Sequence, residues 1–287
     1  MSISRRSFFK AMGATAVALS VGKPMAAEAL QQTDNELYGV LYDGTKCVAC
    51  HGCEYDCAEA HGFTDFDIPK NPPFRKTDDK HRTVVNLYQT SKGEVPRKLQ
   101  CMHCNQPACD AACLTQAMHK TEGGPVIWRD DKCMGCRYCM ISCPFDIPKF
   151  EYNSTNPRIV KCDMCADRIK EGEIPACAYN CPEEALLYGK RSDLIKEARK
   201  RIHDNPEQYV DHIYGEHEAG GTSWLYLSAV PFEEIGFNMR VQKSSYPALT
   251  KGFISSIAPV DLLLPTFLLG VYQATKSIST NSEEDSI

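Results

Sequence analysis

Short apolar segments separated by polar loops recur along the chain, and they predict short strands. Residues 37–42 (LYGVLY) and 185–189 (ALLYG) have the length and the aliphatic or aromatic content of strands. Residues 58–100 form an insert in which a proline-containing loop precedes a strand at 83–88. A Gly-Gly pair lies between apolar residues within 117–130, which is typical of a β-hairpin.

The region 191–252 predicts a helix and one further strand. Residues 192–203 space their apolar positions as a helix does, and Ser192 suits the N-cap. The apolar positions on one face are Ile195, Ala198 and Ile202. Because the other positions are mostly charged, we expect this helix on the surface. Residues 218–227 predict a loop that enters a strand.

Residues 253–275 begin with the run FISSIAPVDLLLPTFLLGVY, which is about long enough for a membrane helix. Pro259 suits the start of that helix, and Asp261 would then lie in the first turn, where an acid suits the helix dipole. We favour a membrane anchor, with a helix lying against a membrane partner as the alternative. The polar end, residues 276–287, is expected to be disordered.

Residues 1–29 have the pattern of a cleavable export signal. Arg5 and Arg6 precede a mildly apolar run at 11–21, which is about half the length that spans a bilayer. The small residues that follow are Ala26, Ala27 and Ala29. The paired arginines resemble the twin-arginine signal of bacterial exported redox proteins. That route carries proteins already folded around a cofactor.

The chain has 287 residues, of which 43% are hydrophobic, and this suits one large or two small domains. Its formal net charge is −5. The first 29 residues carry +3, so the remaining chain carries −8. This acidic balance argues against nucleic-acid binding, which needs a basic surface.

Sixteen cysteines fall into four groups of four, with none left over. The groups are Cys47, Cys50, Cys53 and Cys57; Cys101, Cys104, Cys109 and Cys113; Cys133, Cys136, Cys139 and Cys143; and Cys162, Cys165, Cys177 and Cys181. Soft thiolates in such runs select iron–sulfur clusters. The third group, CMGCRYCMISCP, has the full spacing of the bacterial ferredoxin run, in which the fourth cysteine ligates a second cluster.

Three other uses of the cysteines compete with this interpretation. CVACH at 47–51 matches the attachment pattern of c-type haem, but two more cysteines follow it, and three sister groups occur elsewhere. Disulfide scaffolds are mostly small and do not need repeated Cys-x-x-Cys runs. Four-cysteine zinc sites usually split into two pairs with a longer spacer between them. We therefore favour iron–sulfur clusters over all three.

The four groups, with an elongated fourth, resemble the 16-iron ferredoxin subunits of bacterial respiratory oxidoreductases, most of all the HybA type of hydrogenase-2. The resemblance implies an α+β fold of two ferredoxin-like units at 30–190, with an inner unit at 101–143. It also implies four [4Fe–4S] clusters with crossed ligands. These ligand sets are Cys47, Cys50, Cys53 and Cys181; Cys57, Cys162, Cys165 and Cys177; Cys101, Cys104, Cys109 and Cys143; and Cys113, Cys133, Cys136 and Cys139.

Side chains beside the cysteines are expected to have supporting roles. With four thiolates for each cluster, His51 and His103 are expected in packing or solvent contact. Residues expected to cover the clusters are Met134, Tyr138, Met140 and Ile141.

The resemblance implies a non-catalytic electron-transfer subunit on the periplasmic side of the cytoplasmic membrane. Its expected partners are a catalytic subunit, first a [NiFe] hydrogenase, and a membrane quinone-reactive or cytochrome subunit. Residues 191–252 would extend the core toward those partners. The alternatives are the same role in a molybdopterin oxidoreductase or a menaquinone:cytochrome complex, and a structural assembly subunit. The chain shows no nucleophile–base set and no Gly-rich phosphate loop.

Overall fold

A computed structural model describes residues 37–63, 67–68 and 74–284. The predicted signal at 1–29 lies outside the described residues. The strands are β1 (Tyr38–Asp43), β2 (Val84–Thr90), β3 (Gly93–Leu99), β4 (Met118–Lys120), β5 (Val126–Trp128), β6 (Lys149–Phe150), β7 (Ile159–Val160), β8 (Leu186–Lys190) and β9 (Trp224–Leu227). The helices are α1 (Gly52–Ala60), α2 (Ala108–Ala111), α3 (Tyr138–Ser142), α4 (Ala166–Lys170), α5 (Ala176–Tyr179), α6 (Arg191–Asp204) and α7 (Tyr246–Glu284).

A three-stranded sheet joins distant parts of the chain in the order β8-β1-β9. β1 pairs antiparallel with β8 and parallel with β9. Alternate residues of β1 point to opposite faces: Val40 and Tyr42 pack with Trp224, and Leu41 packs under α6. Both faces are therefore buried, which explains the unbroken apolar run LYGVLY. The predicted strands at 37–42 and 185–189 are confirmed, and the predicted loop at 218–227 does enter a strand, β9.

Helix α6 lies on the surface of the molecule and packs its apolar face on this sheet, as expected. Ala198 is fully buried, and Ile195 and Ile202 pack beside it. The helix begins at Arg191, with Lys190 at the N-cap position, so the prediction of Ser192 as the N-cap was wrong. The reason is the Arg191 guanidinium, which is buried and donates to the backbone oxygens of Thr222 and Glu216.

The hairpin β2–β3 occupies the insert where the sequence predicted a single strand. The second strand escaped prediction because it contains Pro96, which cannot donate to a strand ladder. Here the Pro96 carbonyl accepts a hydrogen bond from the Tyr42 hydroxyl at 3.0 Å, which ties the hairpin to β1.

The predicted hairpin at 117–130 is confirmed as β4–β5. Its turn touches β1, because the Tyr38 N–H donates to the Gly123 carbonyl at 3.0 Å. Gly124 has a φ of +114°, and a Cβ there would lie 2.6 Å from the Tyr38 carbonyl oxygen. Glycine at this position therefore allows the hairpin of the inner cysteine unit to lie directly on the strand of the outer one.

Helix α7 begins at Tyr246 and contains both Pro259 and Pro265, so Pro259 is not the helix start and Asp261 is not in the first turn. An 18-residue window within residues 246–273 has a mean hydropathy of 1.8, and none of that window is buried. By length and composition it is sufficient to cross a membrane. The helix extends to Glu284, beyond the point at which a disordered end was expected.

Replacing Arg201 by methionine should destabilise the fold by about 1–3 kcal/mol, because it removes a charged donor from a buried carboxylate. Asp43 is fully buried and accepts hydrogen bonds from Arg201 and from the Tyr209 hydroxyl, both at 2.9 Å. Thermal unfolding followed by circular dichroism measures the change. Glu197→Ala is the control, since it removes only the half-buried carboxylate partner of Arg201. An equal loss in both variants would contradict the assignment.

Candidate metal centres

All sixteen cysteines lie in the described residues, and none of them forms a disulfide. Six are buried: Cys57, Cys101, Cys109, Cys139, Cys162 and Cys177. Two, Cys50 and Cys136, are exposed. The buried thiols lie away from water, where a soft metal group is protected from hydrolysis and its potential depends on the protein.

The cysteine loops turn tightly through residues with a left-handed backbone. The first loop has Ala49 at a φ of 53° and His51 at 59°, and the third has Arg137 at 60°. The second has His103 at 48°, and the fourth has Met164 at 59°. Such turns aim successive N–H groups toward one side, which suits an anionic group. Since none of these residues is glycine, the sequence does not mark them.

The first and fourth groups come together at one end of the molecule. We define set A as Cys47, Cys50, Cys53 and Cys181, and set B as Cys57, Cys162, Cys165 and Cys177. The four set A thiols line one cavity of about 20 Å³. In set B, the Cys57 thiol interacts electrostatically with Cys177 and Cys165, and Cys162 interacts with Cys57.

The second and third groups come together in the same crossed manner. We define set C as Cys101, Cys104, Cys109 and Cys143, and set D as Cys113, Cys133, Cys136 and Cys139. The Cys104 thiol interacts with the other three thiols of set C. The Cys139 thiol interacts with the other three of set D. The four sets contain the same cysteines as the ligand sets that the resemblance implied. That these cysteines bind iron stays a prediction.

Electrostatic interactions between thiols of neighbouring sets follow a linear order. Sets A and B meet through Cys53 and Cys177. Sets B and C meet through Cys162 and Cys101. Sets C and D meet through Cys109 and Cys139. The exposed thiols, Cys50 of set A and Cys136 of set D, therefore belong to the two terminal sets.

Burial is the largest single influence on the pKa of these thiols. It raises the pKa of Cys139, Cys143 and Cys165 to about 11. Burial also acts to raise the pKa of Cys113, but hydrogen bonds from backbone N–H groups outweigh it and lower that pKa, and one comes from Met118 at 3.4 Å. Because burial favours the protonated thiol and a metal binds the thiolate, metal binding at the buried cysteines must release protons.

The residues around the thiols suit a [4Fe–4S] group. Four thiols in each set complete the ligation of one such cluster. Several buried N–H donors lack a protein acceptor within the described part of the chain, and among them are His103 Nε2, Trp128 Nε1 and Trp224 Nε1. Trp128 and Trp224 both pack in clusters that contain these cysteines. Buried N–H groups need hydrogen-bond acceptors. The sulfur atoms of an iron–sulfur cluster can accept hydrogen bonds from such N–H groups.

The histidines beside the cysteines have structural partners, as expected. His51 Nδ1 lies 2.8 Å from Glu54 Oε1. His103 is fully buried, and its Nδ1 accepts a hydrogen bond from the Val126 N–H at 2.8 Å. Neither histidine is required as a ligand.

The residues expected to cover the clusters behave differently from one another. Met140 packs with set C and set D cysteines. In contrast, Met134, Tyr138 and Ile141 are largely exposed, and Ile141 is 82% exposed. These three side chains lie on the outer side of the third loop and of α3, and their role in covering a cluster stays a prediction. They form an apolar surface around set D.

Sequence reasoning missed several buried polar residues at the thiols. Lys98 and Lys161 are buried, although lysine in a strand or loop usually lies in solvent. His61 Nε2 lies 2.9 Å from Asp163 Oδ1, and Arg82 lies 2.8 Å from the same carboxylate. Burial acts to raise the pKa of Asp163, but His61 and Arg82 hold it well below its usual range. Nothing in the sequence pattern marks these residues.

Known proteins support the same interpretation. A family model described as a 4Fe-4S dicluster domain matches residues 95–191. A protein of Nitratidesulfovibrio vulgaris is 39% identical, over 96% of this chain and 77% of its own length. Hydrogenase-2 operon protein HybA of Escherichia coli O157:H7 is 33% identical, over 81% of this chain and 83% of its own length. The chain belongs to the four-cluster iron–sulfur subunits of bacterial respiratory oxidoreductases.

This iron–sulfur subunit is also similar to the B subunit of anaerobic dimethyl sulfoxide reductase from Escherichia coli K12, at 34% identity over 56% of this chain and 77% of that subunit's own length. The expectation of [4Fe–4S] cofactors is confirmed. The iron–sulfur subunit is an electron-transfer component, and the mixed helix and strand fold is ferredoxin-like.

Proposed function

We propose that this iron–sulfur subunit relays electrons between a periplasmic catalytic subunit and a quinone-reactive or cytochrome subunit in the membrane. The observation that supports it most directly is the linear order of sets A, B, C and D, with an exposed thiol in each terminal set. Partners can therefore approach both ends. A relay with one buried end would serve only one partner.

In this proposal each set holds one [4Fe–4S] cluster, which supplies one-electron chemistry when bound. The sixteen cysteines are the iron ligands. The rest of the chain positions the thiols, excludes water and donates hydrogen bonds to sulfur. For example, the Met164 N–H lies 3.4 Å from Cys162 Sγ, and Met118 makes the corresponding contact with Cys113.

The position at which α7 begins supports one orientation of the relay with respect to the membrane. A groove beside α2 and α3 is lined by Ala108, Ile141, Tyr246 and Pro247, so α7 starts next to the inner cysteine unit. If α7 enters the membrane, sets C and D are the nearer pair. We therefore assign set D to the membrane partner and set A to the catalytic partner.

The similarity to HybA over most of both chains favours a [NiFe] hydrogenase as the catalytic partner. The shorter similarity to the dimethyl sulfoxide reductase subunit supports the alternative, a molybdopterin enzyme. The paired arginines of the first 29 residues support export in the folded state to the periplasmic side.

Purification of the full complex from its own membranes without air tests the proposal. We expect about 16 iron atoms and about 16 sulfides for each chain, since each of four clusters has four of each. We also expect nickel and a hydrogenase catalytic subunit to co-purify. Molybdenum in place of nickel would favour the alternative partner. Clusters that never change redox state at physiological potentials would contradict the relay.

A further inference from the structure

Lys98 of β3 is a buried lysine between sets A and B. Its residue is only 1% exposed to solvent. It lines the same small cavity as the four set A thiols. It also interacts electrostatically with Cys53 of set A and with three thiols of set B, namely Cys57, Cys162 and Cys177.

The protein partners of Lys98 are all neutral. Its Nζ donates to the Thr83 hydroxyl and lies 3.4 Å from the side-chain oxygen of Gln100. It also lies 5.1 Å from the ring centroid of Trp224, which is itself fully buried. Within the described residues, no aspartate or glutamate forms an ion pair with it. A buried positive charge without a counter-ion is strongly unfavourable, so a charged Lys98 requires a negative group nearby.

The nearest candidates for that negative charge are the two thiol sets. Four thiolates around an iron–sulfur core carry net negative charge, and each one-electron reduction adds one more. The electron comes from the donor of the relay, and no bond forms or breaks in Lys98. Charges interact strongly in a buried, water-poor environment, and net charge and hydrogen bonding set the potentials of such groups.

We propose that Lys98 provides a fixed positive charge that raises the reduction potentials of the clusters held by sets A and B. The inference rests on the proposed ligand sets. Lys98 acts as a positioning and electrostatic residue, and it is not an iron ligand. Its effect is local, because its thiol neighbours belong to sets A and B, while sets C and D lie beyond them in the linear order.

A mediated redox titration of the purified complex, followed by electron paramagnetic resonance, tests this. In Lys98→Met, which keeps the length of the side chain, two of the four cluster couples should shift to lower potential. At the wild-type midpoint, their ratio of reduced to oxidised form should fall at least tenfold, which is about 59 mV for a one-electron couple. The other two couples should stay unchanged.

Two further variants separate charge from packing. Lys98→Arg keeps the charge and should keep the wild-type potentials. Lys196→Met removes an equal charge from α6, where the side chain is 77% exposed, and should shift no couple. An equal shift of all four couples, no shift in Lys98→Met, or the same shift in Lys196→Met would each overturn the inference.

Iron content distinguishes failure of the inference from failure of the proposed function. A wild-type complex well below about 16 iron atoms for each chain contradicts the ligand sets themselves. Full iron content with unshifted potentials contradicts only the role of Lys98. Iron loss in Lys98→Met but not in Lys98→Arg supports the need for the charge, and iron loss in both overturns it.

Discussion

Replacing Cys113 by serine should block electron transfer from the catalytic partner to quinone while leaving that partner's activity with artificial dyes intact. Cys113 is the thiol by which the second cysteine group reaches set D, and the Met118 N–H hydrogen-bonds to it. A serine oxygen is a poor substitute for a thiolate ligand of iron. Substitutions outside the ligands already cost about 10–100-fold, so we expect a loss of at least about 100-fold in the quinone-linked rate.

The measurement compares hydrogen-dependent quinone reduction with hydrogen-dependent dye reduction in the same membranes. Ala112→Ser is the matched control, since it introduces the same hydroxyl one residue earlier, at a position outside the four sets. It should leave both rates unchanged. Loss of the dye reaction in Cys113→Ser would show that this subunit does more than relay electrons.

Removing α7 by ending the chain after Ser245 should move the subunit from the membrane to the soluble periplasmic fraction. The apolar stretch of α7, residues 246–273, has none of its residues buried in the protein, so only membrane or partner contact can cover it. A spanning helix is held almost irreversibly. We therefore expect the full chain to resist a carbonate wash and the shortened chain to be released almost completely.

A chain ending after Ser277 serves as the control, since it loses only the polar end and should stay in the membrane. Release of the full chain by carbonate would contradict the membrane anchor and would favour a helix that lies against a membrane partner. The carbonate wash thus distinguishes a spanning helix from a helix that lies against a membrane partner, and no functional assay is needed.

The hydrophobic pattern predicted those parts of the fold that depend on local sequence. The buried strand β1 and the β4–β5 hairpin follow from runs of apolar residues and a Gly-Gly pair. The apolar face of helix α6 was predicted from its spacing, but the start of the helix was not. That start depends on Arg191, whose partners lie more than twenty residues away. The sheet under α6 contains β9, which no local pattern connects to the helix.

The candidate site, like the fold, could be predicted from the sequence only in part. Spacing alone identified sixteen cysteines and the kind of cofactor they bind. In sets A and B, the thiols that lie together come from groups more than a hundred residues apart, such as Cys47 and Cys181, and only the family resemblance suggested this pairing. Lys98 could not be predicted, because a lysine on a strand normally indicates solvent and its burial here results from tertiary contacts.

The position of β1 between β8 and β9 has a consequence for synthesis on the ribosome. A nascent chain that ends before residue 186 has neither partner for β1, so both edges of that strand are unpaired. Set A also lacks Cys181 until shortly before that stage. The outer half can therefore close only after residue 227 has been made, although the inner unit is complete much earlier. A premature stop before residue 224 therefore leaves β1 without its parallel partner.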